Sequence, residues 1–464
     1  MRGVTPLWTH VELLAATGGK ASGEFDADGV AFDSREIGKG DLFFALKGDA
    51  TDGHLFIDKA FANGAAGAVV SEPVKYPHIL VDDTMAALNA LGIASRDRMQ
   101  GKVVGVTGSA GKTGTKEALY AALDRSSRGK AHRSVKSYNN HVGVPLSLAR
   151  MPRDTQFGVF EMGMNHAGEM RELAKLVRPH AAIVTTIAPA HIEFFKDESE
   201  IANAKAEIFE SLMPGGAAII PADNPQYARL RDAAANYTNN VVSFGFSDAA
   251  DVRVLDHVGA ADGGSLITAK LPAGALCYTL SQSGSHWIAN SLAVLAAVEA
   301  VVGDLAAAGL AMAELGGLAG RGARHIISVG GGEALLLDES YNANPASMAA
   351  TLAELGKVSG RKIAVLAAMK ELGHKSDEYH RALAEPLAAA KVDYAILVGE
   401  EMQILVENLK AGVEGPAEFA HCASAREALD LLTRDLRDAD TILVKGSNSM
   451  GLSAIVSALV GGKD

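Results

Sequence analysis

An apolar run, Val103-Val104-Gly105-Val106, leads directly into Thr107-Gly108-Ser109-Ala110-Gly111-Lys112-Thr113 and then into a helical pattern. No other feature of the 464 residues restricts the fold as tightly. A buried-type strand, a glycine turn and a helix in that order open a strand–helix–strand unit, which belongs to parallel α/β folds. Small residues let consecutive backbone N–H groups face an anion, Lys112 reaches outer phosphates, and the Thr113 hydroxyl can ligate Mg²⁺. A helix over 112–123 directs its positive end to the same spot. Thr107, Gly108, Ser109, Ala110, Gly111, Lys112 and Thr113 therefore read as a triphosphate cradle, with ATP and Mg²⁺ as its ligands. Residue 106 is Val, so the strict G-x-x-x-x-G-K-[ST] pattern is not met, and the motif is the shorter Thr-Gly-x-x-Gly-Lys-Thr.

The rest of the composition narrows the class. With 48% hydrophobic and 5% aromatic residues, the chain is long enough for two to four domains with cores of their own. A net charge of −12 argues against a nucleic-acid coat or a binder of anionic membranes, both of which need a basic surface. Two widely separated cysteines, Cys277 and Cys422, form neither a disulfide framework nor a metal-ligand spacing, which fits a cytoplasmic protein. The start, Met1-Arg2-Gly3-Val4-Thr5-Pro6-Leu7-Trp8, carries no apolar signal core, and the run 292–298 is stopped by Glu299, so no membrane span is expected.

Three α/β domains are expected. Residues 1–98 mix short strands (41–46, 78–81) with helices (55–63, 85–98) and end in the polar stretch 96–102, giving a small mixed domain. Residues 99–322 alternate apolar strands (157–162, 182–187, 217–220) with helical segments. A more β-like insert (241–280) follows, and then a helix over 287–302. Such continuous runs suit a mainly parallel sheet covered on both faces. Gly316-Gly317-Leu318-Ala319-Gly320-Arg321-Gly322 reads as the second boundary. Residues 323–464 alternate strands (334–337, 362–367, 394–398, 418–420, 441–444) with helices (345–355, 377–390, 402–409, 425–436, 452–459), a Rossmann-like doubly wound unit without a phosphate loop. Two such units joined by a glycine hinge enclose a cleft able to close over two substrates.

Several residues stand where ligands of parallel sheets gather. Glu161 ends a strand, where a carboxylate either holds Mg²⁺ or is merely solvated. His191 lies just past another strand, as a metal ligand, a phosphate donor or an ordinary loop histidine. Lys205 has Ile201, Ala202, Ile208 and Phe209 at helical spacings of three and four, so it shares an apolar face and either snorkels or is buried for a reason. Asn139 and Asn140 offer two amides, or a plain Asx turn. Asn344 and Pro345 read as helix cap and first helical residue, which leaves Asp338, Tyr341 and Asn342 without an explanation. Lys445-Gly446-Ser447 is a carboxylate or phosphate binder, or a simple turn.

Together these segments resemble the Mur ligases of peptidoglycan synthesis, in particular their D-alanyl-D-alanine-adding members. The resemblance rests on Asp33-Ser34-Arg35 with Gly40-Asp41-Leu42-Phe43-Phe44, Asp52-Gly53-His54-x-Phe56, the Thr-Gly-x-x-Gly-Lys-Thr loop and Asn139-Asn140-x-x-Gly143-x-Pro145. Glu161-Met162-Gly163, His191-Ile192-Glu193, Ala204-Lys205-x-Glu207-Ile208-Phe209 and Asp338-x-Ser340-Tyr341-Asn342-Ala343-Asn344-Pro345 complete it.

It implies an amide ligase, working as a monomer, that uses ATP to join D-alanyl-D-alanine to UDP-N-acetylmuramoyl-tripeptide through an acyl phosphate. By resemblance, residues 1–98 bind the UDP-muramyl substrate, 99–322 bind ATP and 323–464 bind the incoming dipeptide. Lys112, Glu161, His191 and Lys205 are the catalytic set, and Thr113, Glu161, His191 and a carbamate on Lys205 are the metal set. Asn290, Arg321 and Asp338 meet ATP, Ser34 and Arg35 the uridine-diphosphate end, and Asn139 and Asn140 the muramyl side. Tyr341, Asn342, Lys445 and Ser447 fall to the second substrate.

Two positions depart from the family pattern: Trp287 stands in place of an amide in Gly284-Ser285-His286-Trp287-Ile288-Ala289-Asn290, and Asn448 follows Ser447 where many relatives carry Arg. The rival readings are another ligase of the superfamily with a different acceptor, and a nucleotide-binding protein without turnover.

Overall fold

The computed structural model describes residues 5–48, 51–260 and 264–461. Its strands form three sheets in chain order. The first orders Lys20–Ala21, His78–Leu80, Gly67–Val70, Asp41–Phe44 and Gly29–Ala31 side by side, all parallel except the short first strand. In the second, Lys102–Thr107 lies between Ala181–Val184 and Phe157–Glu161, with Ala131–Arg133 at one edge. On the other side follow Ala217–Pro221, Asn240–Gly245 and Val252–Gly259 in parallel, then Ser265–Leu271 and Gly274–Leu280 in antiparallel extension. The third sheet orders Ala323–Val329, Gly332–Glu339, Thr441–Lys445, Lys362–Ala367, Tyr394–Val398 and Glu418–Cys422.

The second sheet is sandwiched as its apolar strands require. One face carries the helices Lys112–Ser127 and Ser285–Ala300, which bury Leu119, Leu123, Leu292 and Leu295 against Val104, Val106, Ile183 and Ile219. The other carries Glu169–Val177 and Glu198–Ala206, with Met170, Leu173 and Ile201 in a core shared with Phe160, Ile208 and Phe209. Carboxyl ends of the second and third sheets face one another, so the loops after Thr107, Glu161 and Val184 meet those after Glu339, Ala367 and Lys445.

The structure differs from the sequence expectation in places. Ala323–Val329 is a strand that pairs antiparallel with Gly332–Glu339 around the turn at Gly330-Gly331, so the third sheet is not wholly parallel. The helix expected over 377–390 is two, Ser376–Arg381 and Ala384–Ala389. Pro386 has no N–H to continue the ladder, and the turn before it tightens, Leu383 N–H donating to the His380 carbonyl at 3.2 Å. The strand expected over 182–187 stops at Val184, because the Thr186 carbonyl turns aside to accept from Ser109 N–H at 2.8 Å. The segment 55–63 opens with a 3₁₀ turn, Gly53–Phe56, before the helix Ile57–Ala62.

The first sheet is tied to the second through the helix Thr84–Arg98, which packs on Gly143–Ala149. Arg98 lies 3.8 Å from the Trp8 ring and donates to the Leu7 and Met151 carbonyls, while the Trp8 indole donates to Ala149 at 2.9 Å. Arg96 is buried and donates to the Val177 and Arg178 carbonyls, both at 2.8 Å, closing the end of the helix Glu169–Val177. Burial holds its guanidinium down to about 10. Arg96→Met leaves those carbonyls without their donors and is expected to lower the stability measured by urea unfolding by about 2–3 kcal/mol.

Candidate functional site

Where the strand Lys102–Thr107 ends, Gly108 adopts φ +148° and Gly111 φ +81°. A Cβ on Gly108 would stand 1.9 Å from Thr185 Oγ1, so the loop closes only with glycine there. Thr185 Oγ1 in turn donates to the Ala110 carbonyl at 2.5 Å, and Ser109 Oγ to that of Ala188 at 2.9 Å, which pins the loop from the neighbouring strand end. Lys112 folds back to donate to the Gly108 carbonyl at 2.7 Å. Desolvation pushes its ammonium below the usual lysine range, while the Glu161 carboxylate opposes that shift.

Glu161 is buried and shared between two elements. Its Oε2 accepts from Thr113 Oγ1 at 2.9 Å and its Oε1 from Asn139 Nδ2 at 2.8 Å, so the loop helix, the strand end and the 134–140 segment meet at one carboxylate. Asn140 instead forms an Asx turn, its Oδ1 accepting from Val142 and Gly143 N–H. His191 has a left-handed backbone, φ +57°, sparsely populated for a non-glycine residue, and its Nδ1 lies 2.5 Å from Glu371 Oε2 on the third sheet's side. That imidazole holds the Glu371 carboxyl below its ordinary range. Lys205 is 1% exposed, and among the described residues none pairs with its ammonium. Desolvation, with a smaller contribution from Lys112, pushes it well below the usual range.

The facing wall comes from the third sheet and the glycine segment before it. Asp338 accepts from Gly320 N–H at 2.6 Å and from Ser340 through both N–H and Oγ, so it clamps that segment to the strand Gly332–Glu339. Arg321 stacks over the Tyr341 ring at 4.0 Å and approaches Ser137 Oγ to 3.5 Å. Lys445 is buried, donates to the Asn342 carbonyl at 3.1 Å and lies 3.5 Å from Glu339 Oε2. Ser447 Oγ accepts from Lys370 N–H at 2.9 Å. Asn344 caps the helix Pro345–Gly356 in a capping box and also donates to the Ser109 carbonyl at 3.3 Å, so the third sheet's unit touches the loop directly.

A cavity of about 1290 Å³ lies between the walls, lined among others by Lys112, Glu161, His191, Asn290, Arg321 and Lys445. Asn139, Asn140, Tyr341, Asn342 and Ser447 line it as well, whereas Thr107, Gly108, Thr113, Lys205 and Asp338 sit behind its surface, and Ser34 and Arg35 are not among its described lining residues. Arg35 pairs with Asp33 at 2.6 Å, and the Ser34 carbonyl accepts from Asn63. Their neighbour Glu36 accepts from Lys136 at 2.5 Å and from the Tyr138 hydroxyl at 3.1 Å, which connects them to the Asn139 segment.

No sequence pattern marks Glu371, Ser137 or the second bond of Asn344. All three act across long sequence separations that no local pattern encodes. Trp287, at the departure from the family pattern, packs against the loop helix: a Cβ on Gly114 would meet its ring at 2.7 Å. Gly114→Ala is expected to destabilise the chain by about 1–3 kcal/mol through overpacking. Trp287→Leu in the same chain should recover part of that loss, measured by thermal unfolding.

Family models cover most of the chain: the Mur ligase family catalytic domain matches residues 26–122, the Mur ligase middle domain 106–298, and the Mur ligase glutamate ligase domain 326–448. The UDP-N-acetylmuramoyl-tripeptide–D-alanyl-D-alanine ligase of Escherichia coli strain K12 is 34% identical over 97% of this chain and 98% of its own length. A crystal structure of MurF from Acinetobacter baumannii superposes with a TM-score of 0.84 at 30% identity, covering 98% of this chain and 99% of that one. MurF of Thermotoga maritima in complex with ADP gives 0.77 at 26% identity, over 93% and 97%.

Proposed function

The chain belongs to the Mur ligase family, and from that premise we infer that it is the ATP-dependent ligase joining D-alanyl-D-alanine to UDP-N-acetylmuramoyl-tripeptide. The observation that carries this reading is the full-length match to ligases of that name together with a phosphate cradle facing a second wall across one cavity. A different acceptor or an inactive binder is not favoured.

The reaction transfers the γ-phosphoryl group of ATP to the terminal carboxylate of the tripeptide. The dipeptide amine then attacks the acyl carbon of that acyl phosphate, and phosphate leaves. Two anions must approach one another in the first step, so neutralisation and positioning dominate. In this reading the loop 107–113 cradles the phosphates, and Lys112 exchanges its Gly108 carbonyl for phosphate oxygens. Asn290, next to Gly111, and Arg321 with Asp338 at the glycine segment meet the nucleotide from opposite sides. Asn139 and Asn140 face the muramyl side, with Ser34 and Arg35 at the uridine end. Tyr341, Asn342, Lys445 and Ser447 take the dipeptide.

Thr113 and Glu161 present hard oxygen donors that fit Mg²⁺. Among the described residues no three carboxylate, imidazole or thiol groups converge, so the rest of such a shell would come from phosphate oxygens and water. The ion would supply charge neutralisation between the two anions. In this reading His191, with Glu371 Oε2 2.5 Å from its Nδ1, serves the metal and phosphate side. Lys205, whose ammonium burial disfavours, is suited to add CO₂ and lose a proton, which would turn an unpaired buried amine into an anion on the metal side. Both cysteines are free, and no described helix is long and apolar enough to cross a membrane.

Phosphate release with ATP, Mg²⁺, the UDP-tripeptide and D-alanyl-D-alanine is expected to require every component and to yield the UDP-pentapeptide mass. Release without product, or product without the dipeptide, would count against the reading. Lys205→Ala is expected to lower turnover at least a hundredfold and to be partly rescued by short carboxylates. Turnover equal to wild type would remove Lys205 from the mechanism.

A further inference from the structure

Lys116 lies one turn beyond Lys112 on the same helix and is completely buried, at 0% exposure, yet no step above uses it. Taking an ammonium out of water is costly unless it is fully paired. Here it is: Nζ donates to the Lys136 carbonyl at 2.5 Å and the Ser134 carbonyl at 3.3 Å, and lies 2.8 Å from Glu117. Glu117 is engaged in turn by Arg133 at 2.9 Å.

The segment that Lys116 grips touches the metal-side carboxylate, the loop helix, the glycine segment and the UDP-substrate end. Ser134 Oγ accepts from Glu161 N–H at 2.9 Å, and Asn139 donates to the Glu161 carboxylate. Ser137 Oγ lies 3.5 Å from both Thr113 Oγ1 and the Arg321 guanidinium. Lys136 and Tyr138 reach out to Glu36, beside Arg35.

We propose that Lys116 is a positioning residue. By holding two carbonyls of the 134–139 segment it makes that segment one rigid bracket, which sets Glu161 against Thr113 on one side and the UDP-substrate end on the other. The inference rests on the ligase reading. It needs the two carbonyl bonds of Lys116, whereas the pairing with Glu117 serves only to neutralise the buried charge.

The test compares the full-length wild type, Lys116→Met and Glu117→Gln. It records kcat, KM for each substrate and the Mg²⁺ requirement, together with calorimetric binding of UDP-N-acetylmuramoyl-tripeptide without nucleotide or metal. Lys116→Met is expected to lower kcat at least tenfold and to raise the Mg²⁺ requirement severalfold. It should also weaken tripeptide binding at least threefold and leave KM for D-alanyl-D-alanine within twofold. Glu117→Gln, which keeps both carbonyl bonds, is expected within threefold of wild type throughout. If Lys116→Met does not fold, Lys116→Gln, which keeps one donor, should show an intermediate loss in kcat and tripeptide binding.

The proposal is overturned by a folded Lys116 variant with kcat and tripeptide binding within twofold of wild type, by an equal loss in Glu117→Gln, or by a uniform change in all three KM values. Failure of both Lys116 variants to fold also overturns it, since that marks a purely structural lysine. A wild type without turnover overturns the ligase reading and this inference with it, whereas an active wild type with an unaffected variant overturns this inference alone.

Discussion

A carboxylate removed from water must be met by donors, and Glu161 is the point where this protein meets that demand. Its two oxygens are held by Thr113 from the loop helix and Asn139 from the 134–140 segment, and its backbone by Ser134. Three elements distant in sequence are thereby brought into one register at the carboxyl edge of the second sheet. Loss of any one donor would leave a buried charge underpaired, so the arrangement is enforced as a whole. The same edge carries Lys112 and Lys205, whose ammonium groups burial disfavours. The site thus concentrates groups whose charges are unsettled without anionic partners, as a surface built to receive phosphates and carboxylates requires.

Local chemistry made much of this legible in the chain. The cradle was readable because its function lies in consecutive backbone groups. The buried face of Lys205 was readable because helical periodicity reports burial directly, and the Asn344-Pro345 cap because its geometry spans only a few residues. Lys116 carries the same signal as Lys205, with Leu119 and Leu123 three and seven residues on. The His191–Glu371 pair and the Asn344–Ser109 bond were not readable, since they depend on how the third sheet faces the second. The strand Ala323–Val329 was hidden by its mixed burial and by the glycine segment before it, which reads as a hinge.

The two facing walls also differ in kind. On the second sheet's wall the 107–113 loop is tied back to the neighbouring strand end, and the turn after Glu161 to Asn139. The third sheet's wall meets it through Glu371 to His191 and to Glu193 N–H, Asn344 to Ser109 and Arg321 to Ser137, beside an apolar cluster that takes in Ile192 and Phe195 from one unit and Met369 and Leu372 from the other. Interfaces between units of one chain commonly allow relative motion, and catalysis with two large substrates needs entry and exit.

The double duty of Asn344 bears on that motion. Its Oδ1 serves its own helix while its Nδ2 serves the loop opposite, so the two roles fall on different atoms of one amide. Drawing the walls apart would pass only the Nδ2 donor to water and leave the helix start intact. The contact is therefore a detachable latch: the helix that presents it keeps its shape through every cycle, and the loop it leaves is freed to exchange spent nucleotide for fresh.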